Sequence, residues 1–459
     1  MTLPAPLGRS GLAAYGALRA PLALLELPLF VLLPAYYAER LGLELVAIGS
    51  LLFAARAIDA IADPVIGASL DRNPDALRWR RIIWLALPVL VLAYAALFLP
   101  PRGVPLAAWL AVSSVLTYVA WSVVSIAYQA WGARLGASDA ERVRVTSWRE
   151  GAGLLGVLAS AALLVPDRVP ALVGLFALGA LTGALLLARA PLPPAMPLMP
   201  AMPVPGAMSL SPATSLSPET RSRPASPWSG FLELWRCAGV RWTLGIFLVN
   251  GIASAIPATL LLFFVADILK APESTPQFLL AYFLAAALGM PLWGRLATRY
   301  GLKTAWLMGM ALSILAFIWA WGLGPGDGNA FFAVCIATGL ALGADLAVPP
   351  ALLAKVLAAP DAPKARDGAA FGLWNLATKL NLAAAAGLAL PALGLLGYAP
   401  GTHVAKSASH EGTGALAFMY AVLPCALKLL AALLLALAPL ARRLPVETST
   451  SAPSSTRNT

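Results

Sequence analysis

Arg56, Asp59 and Asp63 stand inside "ARAIDAIADPVIGASLDR", residues 55–72 of a 459-residue chain. Their spacing is i, i+3, i+7, which on a helix places them within roughly 60° of one another. Asp59 and Asp63 form an i, i+4 pair, so two carboxylates sit one turn apart in apolar sequence. Two adjacent carboxylates away from water cannot both stay ionised unless a cation neutralises them. The face must therefore hold a proton, a metal cation or a basic side chain. Pro64 follows directly; it removes one backbone donor and can kink the helix, freeing a carbonyl near Asp63.

The elements that position this face are membrane helices. The chain is 60% hydrophobic and 12% charged, with a mean hydropathy of +0.79. A soluble chain of this length carries roughly a quarter charged residues. Runs of about 20 mostly apolar residues mark candidate spans. Twelve are read, at 12–37, 46–70, 82–99, 105–131, 145–165, 169–187, 242–269, 277–297, 305–323, 329–357, 370–396 and 416–441. Residues 1–187 form an N-terminal six-helix half and 242–441 a C-terminal one. Between them, 188–241 is a Pro-, Ser- and Met-rich linker, with "FLELWRCAGVRW" as a short surface helix. Residues 442–459 read as a disordered tail. The start, MTLPAPLGRS, lacks the pattern of a cleavable signal.

Most of the 32 Lys and Arg residues fall in the tail, the linker and alternate loops. By the positive-inside rule both termini are cytoplasmic, the membrane being the inner (cell) membrane. The same rule accounts for the net charge of +11 without a nucleic-acid partner. Cys237, Cys335 and Cys425 stand singly, without disulfide or metal spacing. The halves echo each other: "GASLDRNPDALRWRR" follows span 2 and "WGRLATRYGLK" follows span 8. Repeated halves with a site at the bilayer midplane are a transporter architecture.

Other ionisable groups lie in spans: Arg19 and Glu26, Arg149 and Glu150, Asp345, Lys379 and Lys428. Such groups face the bundle interior and usually pair. Arg149 and Lys379 are the expected counter-charges for Asp59 and Asp63, either as structural bridges or as pairs that break and re-form during transport. Arg19 has the alternative of snorkelling to the inner surface. Tyr36, Tyr37, Trp121, Tyr128 and Trp374 could stack on sugar rings, although interface anchoring explains most membrane tryptophans. Gly67, Asp71 and Arg72 lie at or past the end of span 2 and read as a cytoplasmic hinge.

Several stretches, in order over nearly the whole chain, resemble the glycoside–pentoside–hexuronide:cation symporters, the melibiose-carrier relatives within the major facilitator superfamily. They are "LPAYYAERLGL", "ARAIDAIADPVIGASLDR", "SIAYQAWGARL", "VTSWREGAGLLG", "GADLAVPPALLA" and "FGLWNLATKLNLAAAAGLALPALGLLGY". The resemblance implies an all-α membrane protein of twelve transmembrane helices in two pseudo-symmetric halves, moving solute with a cation by alternating access. It implies that Asp59 and Asp63 bind the cation with Ser122 as a hydroxyl ligand, and that Arg56 stands beside them. It ties Arg149 and Lys379 to the polar core. Departures are equally specific. An amide expected before the second carboxylate is Ala62. A span 4 aspartate and tryptophan expected at the sugar are Ser125 and Gln129. A span 1 aspartate is Ala23, with Glu26 one turn away.

Sodium wants several oxygen ligands, and Ala62 removes one; a proton needs only a carboxylate with a raised pKa. The expected coupling ion is H⁺ or Na⁺, with H⁺ favoured. The solute is a sugar, glycoside or related polar molecule, or alternatively an amphipathic, lysolipid-like one. Asp345 is expected in a substrate contact or charge pair. No cofactor or resident metal is expected; the partners are the solute, the coupling cation and the lipid bilayer, and a monomer suffices. An intramembrane prenyltransferase would need acidic motifs at the membrane surface. Here the pair is deep and a second motif is absent, so no enzyme is expected.

Overall fold

The computed structural model describes residues 8–72, 76–163, 168–192, 227–360, 362–363, 366–396 and 410–440. Every described element is helical. Most of the linker, the last outer loop and the tail lie outside the described residues.

The N-terminal half contains α1 (9–40), α2 (Leu45–Leu70), α3 (Ala76–Phe98), α4 (Leu106–Leu135), α5 (Asp139–Ala162) and α6 (Val169–Leu187). A short helix, Pro227–Arg236, precedes the second half. It starts earlier than the sequence pattern suggests, and an extended Cys237 separates it from α7 (Ala238–Phe263). There follow α8 (Thr275–Tyr300), α9 (Leu302–Phe317), α10 (Gly328–Leu357), α11 (Asp367–Leu395) and α12 (Thr413–Leu437). Each expected span coincides with one of these helices.

Eight of them are long and apolar enough to cross a membrane. The other four carry breaks or polar groups. Prolines 21, 28 and 34 divide α1 into short pieces with π-helical turns at Pro28–Leu32 and Tyr36–Arg40, since each proline removes an amide donor. α2 holds Arg56, Asp59 and Asp63; α5 opens on a charged turn; α11 carries Asn375, Lys379 and Asn381. Helix α2 runs unbroken through Pro64.

Local signals set the helix ends. Ser138 and Glu141 form a capping box at the start of α5: Glu141 N–H donates to Ser138 Oγ (3.2 Å) and Ser138 N–H to Glu141 Oε2 (3.3 Å). Gly301 adopts φ +85°, ending α8 and turning the chain into α9.

A continuous core joins α1, α3, α4 and α6 around Tyr15, Tyr94, Trp131 and Phe176. The C-terminal half has one core around Phe264, Phe331 and Tyr420 and another around Trp293 and Trp306. Outside, Phe53, Leu85, Leu92, Leu178, Leu288 and Leu437 stand exposed, an apolar girdle suited to lipid. The halves meet where α2 packs on α11 and α5 on α8 and α10. At the first crossing the backbones nearly touch: a Cβ on Gly67 would lie 2.2 Å from the Gly368 carbonyl oxygen. Only glycine permits this approach.

Candidate functional site

Asp59 sits 14 residues into α2, about 20 Å along it at ~1.5 Å per residue, with Asp63 one turn further. Both are buried. Lys379, reaching across from α11, contacts both: its Nζ lies 2.5 Å from Asp59 Oδ2 and 2.7 Å from Asp63 Oδ2. Ser122 on α4 completes the cluster. Its hydroxyl donates to Asp59 Oδ1 (2.7 Å) and accepts from Lys379 Nζ (3.0 Å). Asp63 meets Lys379 as an ion pair out of hydrogen-bond alignment, and neither of its oxygens has a hydrogen-bond donor among the described residues. The cluster thus ties α2 and α4 of one half to α11 of the other. Lys379 stays 23% exposed, and the Trp121 ring lies 5.8 Å from its ammonium. Arg56, a turn before Asp59, is set against Tyr118 of α4.

Arg149 is not brought to this cluster. The sequence made it a counter-charge of Asp59 and Asp63, but its guanidinium binds Glu150 at 2.7 Å. Glu150 also meets Arg19 (3.4 Å), and Arg19 meets Glu26 (2.7 Å). The cause is packing: α5 lies against α1, so its acid–base pair faces Arg19 rather than α2. Arg19 is correspondingly buried in ion pairs and does not snorkel. A four-membered chain of alternating charge results, which sequence spacing did not reveal because α1 and α5 are far apart in the chain.

The remaining predicted residues are placed as follows. Tyr128 and Tyr15 exchange bonds: the Tyr128 hydroxyl donates to the Tyr15 carbonyl (2.6 Å) and the Tyr15 hydroxyl to the Tyr128 carbonyl (2.9 Å). Gln129 Nε2 donates to Asn375 Oδ1 at 2.9 Å, a second polar link between halves. Ser125 is buried on α4. Trp374 is stacked on Phe247 at 3.6 Å, so in this conformation its face is occupied. Asp345 has its partners elsewhere: it pairs with Lys428 inside the C-terminal half (2.7 Å) and accepts from Trp306.

The hinge residues form a latch. Asp71, buried past the end of α2, accepts from the backbone N–H groups of Gly368 and Ala369, each at 2.7 Å. It thereby caps the start of α11, where backbone donors lack partners within the helix. Arg134 pairs with Asp367, Lys355 with Asp139 at 2.6 Å and Arg366 with Glu233 at 2.9 Å. Gly67 supplies the close crossing, and Arg72 is exposed in the turn. The halves are shut at this end of the bundle.

Burial pushes the Asp71 carboxyl from its usual 3.8 up to about 7, while the Ala369 and Gly368 N–H groups pull it back. The latched form therefore holds its proton to higher pH than an exposed Asp71 does. Raising pH from 3.8 towards 7 progressively disfavours the latch, with no further change above. Spin labels at positions 72 and 358 are expected to move apart between pH 5 and pH 7.5, and Asp71→Asn to abolish that shift. An unchanged distance in the parent protein would refute the latch titration.

Two curated relatives match part of the chain. The inner membrane symporter YicJ of Escherichia coli K12 is 31% identical over 138 residues, covering 28% of this chain and 29% of the relative. The putative glycoside/cation symporter YagG of the same organism is 25% identical over 138 residues, covering 29% and 30%. The chain thus matches under a third of each relative's length. Solved structures match the fold. A bacterial ferroportin homologue in its outward-facing state aligns with TM-score 0.63 at 15% identity, over 93% of this chain and 98% of that one. The major facilitator superfamily transporter FucP, in an outward conformation, aligns with TM-score 0.64 at 12% identity, over 93% and 99%. The model of the family described as MFS/sugar transport protein matches residues 14–442, from within α1 to beyond α12, and the chain accordingly belongs to that family.

Proposed function

We propose that this protein carries a sugar, glycoside or related polar organic solute together with a cation, H⁺ in preference to Na⁺, by alternating access. The observation that supports this is the sharing of one lysine between Asp59 and Asp63 across the interface of the halves. A cation or proton arriving at either carboxylate competes with Lys379 for the same oxygens. Loading the site thus weakens a link between α2 and α11, which makes the conformational equilibrium depend on the ion. The oxygen set is Asp59, Asp63 and Ser122, and Ala62 adds none, which suits a proton better than a sodium shell.

The solute reading follows from the polar residues near the cluster: Gln129 and Asn375 bonded across the same interface and Trp121 beside Lys379, with the Glu26–Arg19–Glu150–Arg149 chain between α1 and α5. The names of the two relatives, a symporter and a putative glycoside/cation symporter, point the same way. The latched end carries the basic loops and is assigned to the cytoplasm, with both termini.

Reconstituted vesicles provide the test. An imposed proton gradient is expected to drive accumulation of a glycoside from a panel, and a sodium gradient at matched pH is expected to drive less. Equal uptake with and without either gradient would remove the coupling reading while leaving transport itself intact.

A further inference from the structure

A cavity apart from the acidic cluster lies within the C-terminal half. Helices α7, α8, α9, α10 and α12 line it, with a volume of about 170 Å³. Helix α11, which supplies Lys379, contributes no residue to it, so it is separate from the acidic cluster. Its upper part is aromatic, with Phe278, Phe331 and Tyr420 in its wall. Its floor is charged: Asp345 and Lys428.

The floor can be accounted for bond by bond. Asp345 Oδ1 accepts from Trp306 Nε1 at 2.9 Å and Oδ2 accepts from Lys428 Nζ at 2.7 Å. Lys428 also donates to Ser254 Oγ at 3.1 Å. An ammonium has three donors. Two are spent, and no third acceptor stands among the described residues. Each Asp345 oxygen already accepts one bond, whereas one Lys428 N–H has no partner among the described residues, so the unmet group at the floor is a donor. The pair sums to zero charge, so a charged guest would be buried without a counter-ion. An engineered apolar cavity of about 150 Å³ holds benzene, so this one has room for a single ring with a small substituent.

The geometry points to a second ligand site here, for a small neutral molecule with one aromatic ring and one acceptor oxygen: an aryl ketone, ester, ether or alcohol. The ring lies among the aromatic side chains and the oxygen accepts from Lys428. The site acts independently of the coupled cluster.

The probe is 4′-fluoroacetophenone, followed by ¹⁹F NMR on the purified full-length protein in detergent. Saturable binding is expected. The hydrocarbon 4-fluoroethylbenzene, which lacks the acceptor, is expected to bind at least about tenfold more weakly, the worth of a hydrogen bond to a charged donor. 4-Fluorobenzylammonium is expected not to bind. Ala258→Phe and Ser313→Phe fill the cavity from opposite walls, and each is expected to abolish binding while the protein's melting temperature is kept. Asp59→Asn is expected to leave it unchanged. Non-saturable partitioning, equal binding of ketone and hydrocarbon, or binding that survives both filled variants would each overturn the proposal.

Discussion

Lys379→Met is expected to lower the stability of the purified protein by about 3–5 kcal/mol, the usual result of removing one partner from a buried ion pair. It is also expected to abolish gradient-driven uptake. Lys379 contacts both carboxylates from the opposite half. Removing it leaves Asp63 fully buried with no cation in contact among the described residues. The second-site change Asp63→Asn should restore most of the lost stability, since it removes that orphaned charge while Asp59 keeps the bond from Ser122. The pair Asp63→Asn/Lys379→Met should nevertheless stay inactive in coupled uptake, because the competition between ion and ammonium is gone. Thermal melting and vesicle uptake on the same preparations separate the two effects. If the pair melts as low as Lys379→Met alone, the cluster is not the source of the loss. If it retains coupled uptake, the competition mechanism is wrong.

Gly67→Ala is the second large effect. The added methyl would sit 2.2 Å from the Gly368 carbonyl oxygen and 2.7 Å from its carbon. Both are backbone atoms that cannot rotate away, and ordinary contact needs ~3.5 Å. The helices must separate by ~1 Å, which lengthens the bonds from Gly368 and Ala369 to Asp71. Transport is expected to fall at least tenfold, because the shut state is no longer reached. The label distance between positions 72 and 358 should increase at every pH while the melting temperature holds. A methyl accommodated without change in that distance would show that the crossing is looser than it stands here.

The acidic face was readable because charges are rare in apolar sequence and helical spacing is fixed; the sequence offered Lys379 and Arg149 alike as its counter-charges, and only the packing of α11 on α2 separates them. The spans were readable for the same reason, although α4 and α8 run four and three residues past the expected ends, to Leu135 and Tyr300. Arg149 was not. Nothing local says which neighbour a helix will face, and its partner proved to be the adjacent Glu150 together with Arg19 from another helix. Asp71 looked like an ordinary turn residue, because its two donors lie nearly 300 positions away. Trp374 offered an aromatic face by composition, but Phe247 covers it. In each case the missing information was a tertiary contact and not a propensity.

The shut end is fastened by bonds of unequal depth. Lys355–Asp139 and Arg366–Glu233 lie at the rim, where one partner of each pair is 44–50% exposed. Arg134–Asp367 and the Asp71 cap lie inside, largely out of solvent. Dissolved salt weakens the first kind and barely reaches the second. Opening should therefore run like a zip from the rim inward. Ionic strength governs the early teeth, and the buried carboxyl governs the last.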